Sequence, residues 1–85
     1  MAPVTPYWFK QRQGKVEEAG PDTVRISGPN MREAFLGIRS TADGRWQAFL
    51  RLQPEDPDSA VSDGHERNTE GWEAAFELYR TQVIF

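Results

Sequence analysis

Hydrophobic and polar residues alternate most regularly between residues 35 and 52, where the sequence predicts a β-hairpin. In its second arm every other residue is apolar, which is the period of a half-buried strand. One face of this arm is expected in the core and the other, rich in Arg and aromatic residues, in solvent. The two sets are Trp46, Ala48, Leu50 and Leu52 against Arg45, Gln47, Phe49 and Arg51.

The register of this hairpin decides which side chains share a face, since a shift of one residue exchanges the two faces. A two-residue loop would place Ile38 opposite Phe49. A three-residue loop at 42–44, with its glycine in the left-handed conformation, places Ile38 opposite Ala48 instead. We prefer the second, because it pairs apolar residues. It also sets Phe35 opposite Arg51, Gly37 opposite Phe49, Arg39 opposite Gln47 and Leu36 opposite Leu50.

Turn residues divide the first half of the chain into segments of strand length. They predict strands near residues 7–13, 22–28, 34–41 and 45–53. Alternation within the first two segments places Tyr7 and Phe9, and then Val24 and Ile26, in the core. Residues 54–68 carry two prolines and five carboxylates, so an acidic loop is expected there.

The last element is predicted to be a helix over 69–82, capped by Asn68 or Thr69. Apolar residues recur there at helical spacing and form one stripe that can cover the sheet. The final residues, 82–85, are β-prone and favour a short terminal strand. The stripe comprises Trp72, Ala75, Phe76, Tyr79 and Val83.

Together these elements predict an α+β fold in a single domain, 1–85. It consists of a small antiparallel sheet of about four strands within 7–53, the acidic loop 54–68, and the C-terminal helix 69–82 packed on one face.

The composition of the chain excludes several classes of site and of protein. The chain of 85 residues has no cysteine, which removes disulfides, thiolate catalysis and zinc–thiolate sites and fits a reducing cytosol. No apolar run approaches the roughly 18–20 residues that span a bilayer, and residues 1–6 lack the basic and apolar regions of a signal peptide. We therefore expect a soluble cytoplasmic protein that does not bind membranes.

Charge is distributed unevenly along the chain. Residues 1–52 hold eight basic and five acidic groups, a net charge of +3, whereas residues 53–85 hold two basic and eight acidic groups, a net charge of −6. Such asymmetry predicts a bipolar molecule that can orient a partner.

Few residues suit catalysis or metal binding. His65 is the only histidine, and a general base or a ligand needs positioned partners. The carboxylates Asp56, Asp58, Asp63 and Glu66 lack the spacing of a calcium loop, and no phosphate-binding or nucleophile motif is present. We expect no enzyme activity, no cofactor and no metal.

The solvent-facing side of the sheet is the candidate binding surface. Arg stacks on aromatic rings and forms forked hydrogen bonds to carboxylates and phosphates. The leading hypothesis is a non-catalytic interaction or assembly module that presents this face to an acidic protein partner. Nucleic-acid binding by the same face is the alternative, and self-association is a third. The predicted residues are Trp8, Lys10, Arg12, Arg25, Phe35, Arg39, Arg45, Gln47, Phe49 and Arg51.

Two other interpretations are also open: the charged face has no binding role, or a partner contacts a different part of the surface. Charged outer faces are normal on antiparallel sheets, so these arginines can simply solubilise the sheet and pair with Glu17, Glu33 or the acidic loop. Leu78 and Phe85 lie off the helical stripe and are candidates for an edge contact.

The hairpin also carries a sequence resemblance. Gly37-Ile38-Arg39, a four-residue gap, and the run from Gly44 to Arg51 resemble the first hairpin of the plant ethylene-response (Apetala-type) DNA-binding domains. That family packs a three-stranded sheet on a helix and reads the DNA major groove. The resemblance implies DNA contacts by Arg39, Arg45 and Arg51. It covers residues 37–51, and the acidic segment stands where the family's third strand has its Trp-Leu-Gly signature.

Overall fold

The computed structural model describes residues 5–84, which form a five-stranded antiparallel sheet with helices on one side. The α+β class is confirmed, but with five strands rather than the four expected. The strands follow one another in sequence order across the sheet, as a meander. The elements are α1 (Tyr7–Gln11), β1 (Lys15–Gly20), β2 (Thr23–Gly28), β3 (Met31–Ser40), β4 (Trp46–Arg51), β5 (Ala60–His65), α2 (Asn68–Tyr79) and a π-helical turn (Arg80–Ile84).

The β3–β4 hairpin has the predicted register. Leu36 lies opposite Leu50 and Ile38 opposite Ala48, so the apolar positions of both strands share one face. Gly44 in the connecting turn has φ of +81°, a left-handed conformation that glycine adopts without steric cost. The remaining cross-strand pairs are also as expected: Phe35 with Arg51, Gly37 with Phe49 and Arg39 with Gln47.

The core lies between the sheet and α2, which packs on β3, β4 and β5. The helical stripe is confirmed: its members are buried, except Val83, which packs partly buried against the core. The helix begins one residue earlier than predicted, and the N-cap residue is Arg67 rather than the predicted Asn68 or Thr69. The backbone N–H of Arg67 donates to the Glu70 carboxylate at 3.2 Å. That acceptor satisfies one of the free N–H groups at the helix start.

The prediction of a strand at residues 7–13 is wrong, because residues 7–11 form the short helix α1. Phe9 is buried as expected, with its ring centroid 5.4 Å from that of Phe76 and 6.5 Å from that of Tyr79. Tyr7 was expected in the core but is 75% exposed, since residues two apart do not share a face on a helix. Helix α1 therefore lies on the same side of the sheet as α2.

Two strands were missed by the sequence analysis. The outer strand β1 pairs with β2, setting Val16 opposite Ile26, although Val16 is its only half-buried residue. At the opposite edge, β5 lies within the predicted acidic loop and pairs with β4, with Val61 opposite Phe49. The alternation of apolar and polar residues is weak in β1 and in β5. Both strands form by hydrogen bonding to β2 and β4, in which this alternation is stronger.

The chain does not turn into a strand after α2, as was predicted for 82–85. Residues 80–84 continue as a π-helical turn, and the Tyr79 hydroxyl fixes the end of α2 by donating a 2.5 Å hydrogen bond to the Arg32 carbonyl. Leu78, a predicted edge contact, packs partly buried against the core. Phe85, the other, lies outside the described residues.

Candidate functional site

Phe49 occupies the middle of the sheet face that points away from α2. Its neighbours in the ladder are Gly37 on β3 and Val61 on β5. Alternation along β4 predicts Phe49 on this face and in solvent, whereas its side chain is only 5% exposed. Its ring fills the space left by Gly37, where an added Cβ would lie 2.3 Å from Phe49 Cζ.

Two arginines complete the cover over this ring. The guanidinium carbon of Arg39 lies 4.3 Å from the ring centroid of Phe49, and that of Arg51 lies 4.9 Å from it. Both distances are within the range of cation–π attraction. The strands explain the placement, because Arg39 follows Gly37 by two residues on β3 and Arg51 follows Phe49 by two on β4, so all share one face. The ring thus holds both guanidinium groups in place.

Asp58, from the segment that connects β4 to β5, lies between these arginines. Its Oδ2 accepts a 2.8 Å hydrogen bond from Nη2 of Arg39, and its Oδ1 accepts a 2.7 Å bond from Nε of Arg51. Its side chain is 22% exposed. Burial of the carboxyl favours its neutral form, but the hydrogen bonds from Arg51 and Arg39 outweigh this and hold the pKa of Asp58 below its ordinary value.

The rest of the face carries acidic as well as basic side chains. Arg25 lies 3.2 Å from a carboxylate oxygen of Glu17 and 3.7 Å from one of Glu33. The Gln47 side-chain amide donates to Asp63 on β5 at 2.5 Å. The face is therefore of mixed charge rather than basic, because β1, β3, β5 and the segment before β5 each place a carboxylate beside its basic or amide side chains. We call the cluster of Arg39, Phe49 and Arg51 the arginine clasp; Asp58 is the carboxylate bound to it.

The structure brings six of the ten predicted site residues onto this face: Arg25, Phe35, Arg39, Gln47, Phe49 and Arg51. Arg45 lies exposed beside the hairpin turn. Of the other three, Trp8 and Lys10 belong to α1 and Arg12 directly follows it as the C-cap residue. Trp8 packs partly buried against the core, and Arg12 is close enough to Tyr79 for its charge to act on that phenol. Their assignment to the open face is wrong, because it required a strand at residues 7–13.

Pairing of the sheet arginines with the acidic segment was predicted, and Asp58 provides it. The prediction of a loop over 54–68 did not include β5, and so did not place Val61 and Asp63 on the sheet. The short apolar pair Ala60-Val61, followed by Gly64, was the available signal for a further strand. Val61 is 45% exposed and provides an apolar contact beside the arginine clasp.

His65 has a neighbour that the sequence did not predict. Its Nε2 lies 2.8 Å from the Ser62 hydroxyl oxygen, across the bulge at Gly64. Within residues 5–84, no carboxylate hydrogen-bonds to the His65 ring to orient it as a general base. Ser62 and His65 both lie on β5, where His65 is opposite Trp46. This placement explains why the two side chains are close.

Two further observations concern metal binding and membrane insertion. Among the residues that the structure describes, no three His, Asp or Glu side chains are grouped as a metal site. In the same part of the chain, no helix is long and apolar enough to cross a membrane.

Comparisons of this chain with protein-family models, curated proteins and solved structures gave no match. Its function must therefore be inferred from the chemistry of its own surface.

Proposed function

We propose that this chain is a small, non-catalytic protein-interaction module that acts in the cytoplasm, and that the arginine clasp binds an acidic side chain of a protein partner. The observation that carries this proposal is the Asp58 carboxylate, held by both arginines at 2.7–2.8 Å. It demonstrates that a carboxylate fits between these two guanidinium groups.

The clasp has the properties of an interface centre. Arg39 and Arg51 are stacked on a buried ring, so little side-chain entropy remains to be lost when a partner binds. Arg39 donates to Asp58 from one Nη and Arg51 from Nε, and each guanidinium has further N–H donors. Aromatic and Arg residues of this kind dominate the binding energy of protein interfaces.

The surrounding charges favour a protein over a nucleic acid. Arg25, Arg39 and Arg51 are each already paired with a carboxylate, and those carboxylates repel a continuous row of phosphates. A protein can instead present one acidic side chain to the clasp and polar or basic side chains to Glu17 and Glu33. Such complementarity selects one class of partner.

The test is an NMR titration of the ¹⁵N-labelled protein with a short peptide of alternating Glu and Ser. The same peptide with Lys in place of Glu and a DNA duplex are the comparison probes. We expect the acidic peptide to shift the resonances of β3 and β4 around the clasp, and the lysine peptide to leave them in place. Shifts confined to α2 or β1 would contradict the proposal, and stronger binding of the duplex would favour the nucleic-acid alternative.

Arginine variants assign the binding to the clasp. Arg39→Gln and Arg51→Gln should each weaken binding of the acidic peptide about tenfold. The matched control is Arg45→Gln, which removes the same charge from an exposed arginine beside the hairpin turn. An equal loss in all three variants would mean that only net charge matters. Loss of duplex binding in Arg45→Gln would instead agree with the contacts implied by the ethylene-response resemblance.

A further inference from the structure

Asp58 occupies the place that a partner's carboxylate needs. We infer that Asp58 is an internal competitor: it binds the arginine clasp in the free protein, and an acidic partner side chain must displace it. This inference rests on the proposed function and adds to it how binding at the clasp is limited.

Asp58 is placed where its side chain can move away from the two arginines. It lies in the turn-rich segment between β4 and β5, outside the strand ladder, while the next residue, Ser59, is fixed by its backbone N–H to the Leu50 carbonyl at 2.7 Å. A change of side-chain rotamer therefore releases the carboxylate without disturbing β5. The arginines that hold it have side chains 41% and 34% exposed, and ion pairs at such exposure add little net stability.

The binding site itself does not depend on Asp58. Arg39 and Arg51 are held by the ring of Phe49, which Gly37 and Val61 position from the neighbouring strands. When Asp58 leaves, the two guanidinium groups remain adjacent and carry unpaired N–H donors. A partner that brings its own carboxylate then forms the same two charge-assisted hydrogen bonds.

An internal ligand lowers the apparent affinity for an external one, by the fraction of molecules in which the site is free. Asp58→Asn removes the negative charge but keeps the size and an acceptor oxygen of the side chain. We expect this variant to bind the Glu-Ser peptide about fivefold more tightly than the wild type. The matched control is Asp56→Asn, which makes the same charge change at an exposed residue of the same segment. It should change the affinity less than about twofold.

Equal tightening in Asp58→Asn and Asp56→Asn would overturn the inference, because only long-range charge would then be acting. Unchanged or weaker binding by Asp58→Asn would also overturn it, and would leave the proposed function standing if the wild type binds at the clasp. Absence of shifts at the clasp in the wild type and in both variants would instead reject the proposed function and the inference together.

A second measurement uses the wild type and so does not depend on the folding of any variant. The ¹³Cγ resonance of Asp58 and the Nε–H resonance of Arg51 both report on the bond between them. On addition of the acidic peptide, we expect the Asp58 signal to move toward that of a solvated aspartate as the clasp resonances shift. Clasp shifts with a stationary Asp58 signal would show that the peptide binds without displacing the carboxylate, contrary to the inference.

Discussion

The ring of Phe49 lies directly against Gly37, its partner on the neighbouring strand. A Cβ on Gly37 would lie 2.3 Å from Cζ of Phe49 and 2.7 Å from the Asp22 carbonyl oxygen. The close approach of ring and backbone buries Phe49 on a face that carries no helix within residues 5–84. It also allows the arginines to stack on the outer side of the ring.

Replacing Gly37 should therefore be costly. Gly37→Ala is expected to destabilise the fold by about 2 kcal/mol, because the methyl group forces the Phe49 ring and the Asp22 backbone apart. Urea denaturation measures the change. The control is Gly20→Ala at another strand glycine, where the nearest atom to an added Cβ, on Thr23, is 4.0 Å away. A similar cost at both positions would mean that the Phe49 contact is not responsible.

Phe49 should contribute to stability as well as to binding. Its side chain is 5% exposed, so Phe49→Ala is expected to lower the free energy of unfolding by about 3 kcal/mol. Thermal and urea melts test this, with Phe49→Leu as a variant that retains much of the apolar volume. An unaltered melting temperature in Phe49→Ala would show that the ring is in solvent, as the alternation of residues alone had suggested.

The Asp58 ion pairs should make stability depend on pH. The pKa of Asp58 is depressed on folding, below its ordinary value of 3.8, so its contribution is present above that value and is lost as pH falls through the folded pKa. At pH 7, Asp58→Asn should cost about 1 kcal/mol, a small value because the pair is partly exposed. The difference between the two proteins should shrink as pH falls below 3.8 and through the lower pKa that Asp58 has in the folded protein. A difference that stays constant with pH would contradict the ion-pair account.

Helix α1 should be an integral part of the core. Phe9 is fully buried against Phe76 and Tyr79, so Phe9→Ala is expected to cost about 3–5 kcal/mol, enough to unfold much of so small a domain. Tyr7→Ala, two residues away on the exposed side, should change stability by less than about 0.5 kcal/mol. Circular dichroism melts of the two variants compare them. Equal effects would indicate that residues 7–11 are not helical.

Local pattern by itself determined the β3–β4 hairpin and the α2 stripe. In the hairpin, alternation over both arms and the left-handed glycine at 44 admit one register that pairs Ile38 with Ala48, and the structure has it. In α2, the spacing from Trp72 to Tyr79 leaves one apolar face, and that face is buried. In each of these elements, enough apolar residues recur at a single spacing that only one choice of element and buried face fits them.

The edges of the sheet and the chemistry of its open face depend on contacts between segments that are distant in sequence. Residues 7–11 are too few to distinguish a helix from a strand, and packing of Phe9 against α2 selects the helix. The strands β1 and β5 form because β2 and β4 offer them free hydrogen-bonding edges, which their own sequences do not reveal. The carboxylate that occupies the arginine clasp comes from Asp58, nineteen residues after Arg39. Contacts between distant segments determine whether an arginine is free or paired, and no periodicity along the chain encodes them.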